Sequence, residues 1–214
     1  AVDAMTKAEE DTPLHVAVRE GHVDVMKVLL DAGAAVDAMT KENQTPLHIA
    51  TLSDLAPAKM KKAAHVAKVL LVARAKPDAK YLHIAAKKGH AEMVKVLLEH
   101  GAKVDATQGK KVTPLMSAAG GISGGSCRRF VHTVHTLLSY GADPKLRCRD
   151  NKNARGYIPS KGKGKTHTAV REALKTAEKM KEAEDRKRWA KSQLPKGSSG
   201  CAAGAAPEKA AAEK

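Results

Sequence analysis

The feature that most constrains this chain is a segment that recurs four times in one register. Thr12-Pro13-Leu14-His15-Val16-Ala17 returns as Thr45-Pro46-Leu47-His48-Ile49-Ala50, as Tyr81-Leu82-His83-Ile84-Ala85 and as Thr113-Pro114-Leu115-Met116-Ser117-Ala118. The fourth motif position, held by His15, His48, His83 and Met116, advances by 33, 35 and 33 residues. A second landmark follows each: Val28-Leu29-Leu30, Val69-Leu70-Leu71, Val96-Leu97-Leu98 and Thr136-Leu137-Leu138, closed by Gly33-Ala34, Arg74-Ala75, Gly101-Ala102 and Gly141-Ala142. A period of this size means a stack of small units, none of which buries both its faces alone. In the first, second and fourth units, Thr before Pro is an N-cap followed by a ring at the first helical position, where the missing N–H costs nothing. Gly21-His22 and Gly89-His90 end that short helix, and beyond them Val25, Val28, Leu29 and Met93, Val96, Leu97 recur at three and four as the apolar stripe of a second helix.

These motifs, recurring in register over residues 1 to 143, resemble the ankyrin repeat family. The resemblance implies an all-α solenoid of helix pairs with short hairpin fingers. It also implies recognition of a partner protein by a concave surface made of the finger tips and the exposed ends of the first helices. In this sequence those positions are Met39, Lys41 and Asn43, then Gln108, Lys110 and Lys111 on the fingers, with Arg19, Glu20, Lys87 and Lys88 on the helices. The motif histidines His15, His48 and His83 are expected to tie each turn to neighbouring backbone.

Departures from the regular pattern mark where the chain is individual. From the motif's fourth position to the first Leu of the second landmark is 14 residues in the first and third units, but 22 in the second and 21 in the fourth. The first insert, Asp54 to Lys62, suits the extension of a helix, whereas the other, Gly120-Gly121-Ile122-Ser123-Gly124-Gly125-Ser126, suits a flexible loop. From Leu70 to His83 is 13 residues where Leu29 to His48 and Leu97 to Met116 take 19, so one finger is six residues short. Ala1 to Lys7 repeats identically as Ala35 to Lys41, so the chain opens inside a finger and a repeat upstream is expected.

Beyond residue 143 the composition shifts. Residues 144–165 read as a basic linker in which Lys145, Arg147, Arg149, Lys152, Arg155, Lys161, Lys163 and Lys165 face Asp150 alone. Residues 166–192 read as a charged helix with a thin stripe of Val170, Ala173, Leu174, Ala177 and Met180, and with Glu182–Arg186 and Glu184–Arg188 pairs at i,i+4. Its first half is placed to close the stack as a cap. Residues 193–214, rich in Gly, Ser and Ala, form a low-complexity tail expected to be disordered.

Composition narrows the function. Lys and Arg number 38 against 23 Asp and Glu, a formal charge of +15, so the eight cations of residues 145–165 are candidate contacts to an anionic partner. Lys161-Gly162-Lys163-Gly164-Lys165-Thr166 ends like a phosphate-binding loop but has Pro159 where the first glycine belongs and no apolar strand before it. Cys127, His132 and His135 form one close cluster, yet three residues without a fourth ligand at recognised spacing do not make a zinc site. No nucleophile and base arrangement recurs at a distinguishable place, so neither catalysis nor a cofactor nor a metal is expected. Aromatic residues are only 2% of the chain, and Tyr157 alone lies in the basic block, so contacts to RNA would be to its backbone.

The expected function is therefore a non-enzymatic interaction or scaffold subunit of a larger assembly, binding a partner protein with an acidic surface. The alternative is an RNA- or ribonucleoprotein-associated subunit, for example one on the ribosome, contacting phosphate through residues 145–165. Three cysteines, an odd number without a C-x-x-C pair, suit an intracellular, reducing compartment, either cytoplasm or an organelle matrix, and no apolar run is long enough for membrane insertion.

Overall fold

A computed structural model describes residues 2–3, 11–52, 57–121, 127–159 and 165–193, with backbone alone at 57–61, 127, 165–166 and 186–193. Eight helices follow the repeat in pairs: α1 (Pro13–Glu20) with α2 (Val23–Asp31), α3 (Pro46–Leu52) with α4 (Pro57–Val72), α5 (Ala79–Lys88) with α6 (Ala91–Glu99), and α7 (Pro114–Gly120) with α8 (Cys127–Ser139). A 3-10 turn at Ala154–Tyr157 and a long helix α9 (Lys165–Gln193) complete the order. Among the described residues there is one isolated β-bridge, Gln108 with Val112, and no strand.

The motif explains the packing. Leu14, Leu47, Leu82 and Leu115 are each no more than 1% exposed and sit one per unit in the core. The first helices α1, α3, α5 and α7 pack in sequence on one another, the second helices α2, α4, α6 and α8 do the same, and each pair packs internally. Leu70, Leu97 and Leu137 of the second landmark are fully buried, while Leu29 of the first pair stays partly exposed. Between units a backbone N–H meets an aspartate: Ala35 N–H donates to Asp3, Lys76 N–H to Asp37 and Asp143 N–H to Asp105, at 3.1–3.4 Å.

The inserts take two courses. From Pro57 the first insert is helical, making α4 sixteen residues long against nine for α2 and α6. Residues 53–56, and 122–126 of the glycine-rich insert, lie outside the described residues, but α8 beyond them runs to thirteen residues. In the short connection after α4, Arg74 adopts φ 68°, the left-handed conformation that Gly33, Gly101 and Gly141 take in the other units. Asp78 then caps α5 directly, its carboxylate accepting from the Lys80 N–H at 3.1 Å, and no finger intervenes.

Residues 144–159 depart from the linker expected of them. Cys148 N–H donates to the Lys152 carbonyl as Thr40 N–H does to Gln44 and Gln108 N–H to Val112, and Asn151 takes φ 58° where Asn43 and Lys111 take 56° and 60°. This is a fifth finger. The Asn153 side chain then accepts from Gly156 N–H at 3.1 Å, as Thr113 accepts from Met116 N–H at 3.3 Å, and caps a shortened first helix that packs on α7. Ala154 and Ile158 are buried there, and the neighbouring Cys148 thiol, with burial, pushes the phenol of half-buried Tyr157 up to about 12. The segment was illegible as a repeat because Ala154 and Gly156 stand where the motif has proline and histidine. Without them the helix lasts one 3-10 turn.

Up to Lys179 the chain forms one compact unit, in which Val170 and Leu174 of α9 are fully buried and Glu178 bonds Asn153 and Arg155. A second unit begins at Met180, itself 63% exposed, so the apolar stripe of α9 stops at Ala177. The side chains of Arg186 and Arg188 in the expected ion pairs, and the tail from residue 194, lie outside the described residues.

Candidate protein-binding surface

Two of the three motif histidines, His15 and His83, reach the next unit's finger. The Thr12 N–H donates to His15 Nδ1 at 3.1 Å, which leaves Nε2 protonated to face the Ala38 and Gln44 carbonyls of the next finger at 3.1 and 3.3 Å. His83 Nε2 bonds the Ala106 carbonyl at 2.8 Å and its Nδ1 meets Ser117 Oγ at 3.1 Å. His48 has no finger to reach. Its Nδ1 is buried without a hydrogen-bond partner, and the Tyr81 ring stands 5.7 Å away at centroid distance. Tyr81 occupies the place of the motif proline and bonds Thr45 of the preceding unit, oxygen to oxygen at 2.7 Å. The six missing residues thus remove a finger from the row and leave one histidine of three unsatisfied there.

Burial lowers the pKa of all three imidazoles, with Lys80 adding to the effect at His48 and Asp11 and backbone carbonyls opposing it at His15. A group held neutral in the fold contributes stability that is fully present above its unfolded pKa near 6.5 and is lost as pH falls through the depressed folded value. Thermal melts are therefore expected to weaken progressively from pH 7 downward, at up to about 1.4 kcal/mol per pH unit for each such histidine. His83→Gln should flatten that dependence, and a pH-independent midpoint between 7 and 5 would contradict it.

The predicted partner-binding residues do not all serve one end. Met39 is 57% exposed, and Lys41, Asn43, Gln108, Lys110 and Lys111 are exposed on the second and fourth fingers. On the helices, Glu20 and Lys87 are exposed at the ends of α1 and α5. Arg19 instead pairs at 2.8 Å with Asp11, which is only 2% exposed, and Lys88 Nζ donates to the Leu52 carbonyl at 2.6 Å. Arg19 thus ties α1 to the residue just ahead of it, and Lys88 ties α5 to the end of α3.

The predicted anion-binding residues divide likewise. Arg147 donates to the Asn151 carbonyl and side chain and, with exposed Arg149 and Lys152, belongs to the fifth finger; half-buried Lys145 leads into it. Arg155 is tied to Glu178 at 3.3 Å. Lys161 and Lys163 lie outside the described residues, as does the side chain of Lys165 at the start of α9. Arg149 N–H donates to the Lys110 carbonyl at 2.9 Å, and Lys110 Nζ lies 3.4 Å from the Asp150 carboxylate. The fourth finger and the first part of the segment expected to be a basic linker, through Lys152, are thus two adjoining fingers. The signal that could have joined them is the Asn153 cap, three residues ahead of Gly156, as Thr113 is ahead of Met116.

Among the described residues no group of histidine, cysteine and carboxylate side chains is placed to hold a metal ion, and no helix is long and apolar enough to cross a membrane. A row of helix pairs that presents finger loops along one edge defines a repeat protein of the binding kind, with side chains spread over a surface. The chain belongs to the ankyrin repeat family: the family model for ankyrin repeats, in three copies, matches residues 1–60 and 55–148. Ankyrin repeats are in general protein-interaction modules and not enzymes. The chain is 37% identical over 140 residues to human ankyrin repeat and SOCS box protein 16, covering 62% of this chain and 29% of that one. It is 31% identical over 157 residues to the mouse B-cell lymphoma 3 protein homolog, covering 69% and 34%. A further relative is the Caenorhabditis elegans transient receptor potential cation channel subfamily A member 1 homolog, 28% identical over 156 residues, covering 67% and 13%. The chain thus spans between 13% and 34% of the length of these relatives.

Proposed function

We infer that this chain is a non-enzymatic interaction subunit that docks an acidic face of a partner protein on its finger row. The observation that carries the reading is the junction of the fourth and fifth fingers, where exposed Lys110, Lys111, Arg147, Arg149 and Lys152 face Asp150 as the local acid. Complementary charge of this kind steers encounter and selects among partners. Attachment to RNA is less well supported, because Tyr157, the aromatic of this segment, is half buried against the core and offers a base little open ring to stack on.

The test is recovery of partners by the tagged full chain from its own cells, with and without nuclease. Lys110→Glu combined with Arg149→Glu alters exposed side chains and keeps the backbone bond between the fingers, so folding is expected to be unchanged. Recovery of a nuclease-resistant protein partner should fall by about tenfold or more. Equal recovery by parent and variant would refute the finger-row site, and loss of the partner on nuclease treatment would move the function to ribonucleoprotein binding.

A further inference from the structure

A groove of about 680 Å3 lies on the other row of helices, between the Gly89-His90 turn with the start of α6 and the first turns of α8. Its lining divides by chemistry. Ala91, Val131 and Met93, the last 2% exposed, supply apolar surface, whereas Arg128, His132 and His135 are exposed along α8 at spacings of four and three that share one helix face. Glu92 is the one acid among the lining residues, against two arginines.

The groove depends on the length of α8. In the register that aligns Leu137 with Leu97, Arg128 and Arg129 correspond to Lys88 and Gly89, which end the preceding helix in the third unit; here they are the opening turn of a thirteen-residue helix. That turn is seated firmly. Phe130 is 5% exposed and lies so close that a Cβ on Gly89 would meet its ring at 3.2 Å, and a Cβ on Gly121 would also stand 2.7 Å from the Lys87 carbonyl. Two glycines therefore admit Phe130, which seats the opening turn of α8 beside the start of α6.

We propose that this groove is a second docking site, taking an acidic peptide of a partner protein that carries apolar side chains. The apolar floor favours an anchor that leaves water, and the arginine and imidazole rim favours carboxylates on either side of it. Phe130 is packed beneath the groove and its ring is closed to a stacking base, so the exposed rings of the rim are the imidazoles of His132 and His135. The site is made by α6 and α8 and not by fingers, so it stands apart from the finger-row reading.

The probe is a fluorescein-labelled peptide of about twelve residues, Glu and Asp with two leucines four apart, titrated by anisotropy against the full chain at about 50 mM salt. Saturable binding is expected, weakened about tenfold or more by Arg128→Glu with His135→Glu, both on exposed positions. Lys27→Glu with Lys68→Glu, a larger charge change on exposed positions of the same helix row, should leave affinity within about twofold. Replacing the acids by Gln or the leucines by Ala should each abolish saturation. Should the glutamate variant lose helicity by circular dichroism, Arg128→Gln with His135→Gln carries the same comparison. Absence of saturable binding, equal affinity of the Arg128 and His135 variant, or tighter binding of an oligouridylate through the same residues would each overturn the proposal.

Discussion

Leu97→Ala is expected to lower stability by about 2–5 kcal/mol, the range for emptying a fully packed leucine site. Leu97 is fully buried on α6, which packs against α4 on one side and α8 on the other, so the surrounding helices are held from both directions and collapse little into the cavity. Leu29 stands at the same landmark on α2 but stays partly exposed, and Leu29→Ala should cost clearly less. Urea denaturation followed by circular dichroism decides between them. Equal midpoints for the two variants would contradict the distinction between a leucine packed from both sides and one left partly exposed at the same landmark.

The second large effect separates two histidines that are interchangeable in sequence. His83→Ala removes bonds to the Ala106 carbonyl and Ser117 Oγ and strands a carbonyl of the fourth finger, at a cost of about 2–4 kcal/mol. His48→Ala removes no such bond, since its Nδ1 already lacks a partner, and should cost less than half as much. Hydrogen exchange adds a local reading: the amides of Gln108 and Val112 in the fourth finger should lose protection in the His83 variant and keep it in the His48 variant. If the two substitutions destabilise the chain equally, the account of the missing finger fails.

The motifs of the first four units reached the structure with their register intact, because their signals are local. A Thr cap, a proline at the first helical position and an apolar stripe at three and four act within a dozen residues. Leu14, Leu47, Leu82 and Leu115 could be placed in the core from their motif position alone. The two finger sets of the candidate surface were legible for the same reason. The fifth unit was not, because Asn153-Ala154-Arg155-Gly156 carries only the cap of the motif, and a run of cations next to it reads equally well as a linker.

By itself the sequence determined the repeat, its period, the helix pairs, the one short connection and the excess of positive charge. Each of these is written in spacing or composition. Only the tertiary structure decided that the basic segment continues the finger row through the Arg149 to Lys110 bond, that Lys88 of α5 holds the end of α3, and that His48 is left unsatisfied. It also decided that α8 overhangs α6 to form a groove. All four depend on contacts between residues that are far apart in the chain or supplied by different units. A one-dimensional pattern states which side chains a unit offers, whereas its neighbours in the stack determine which of them are consumed in packing and which remain for a partner.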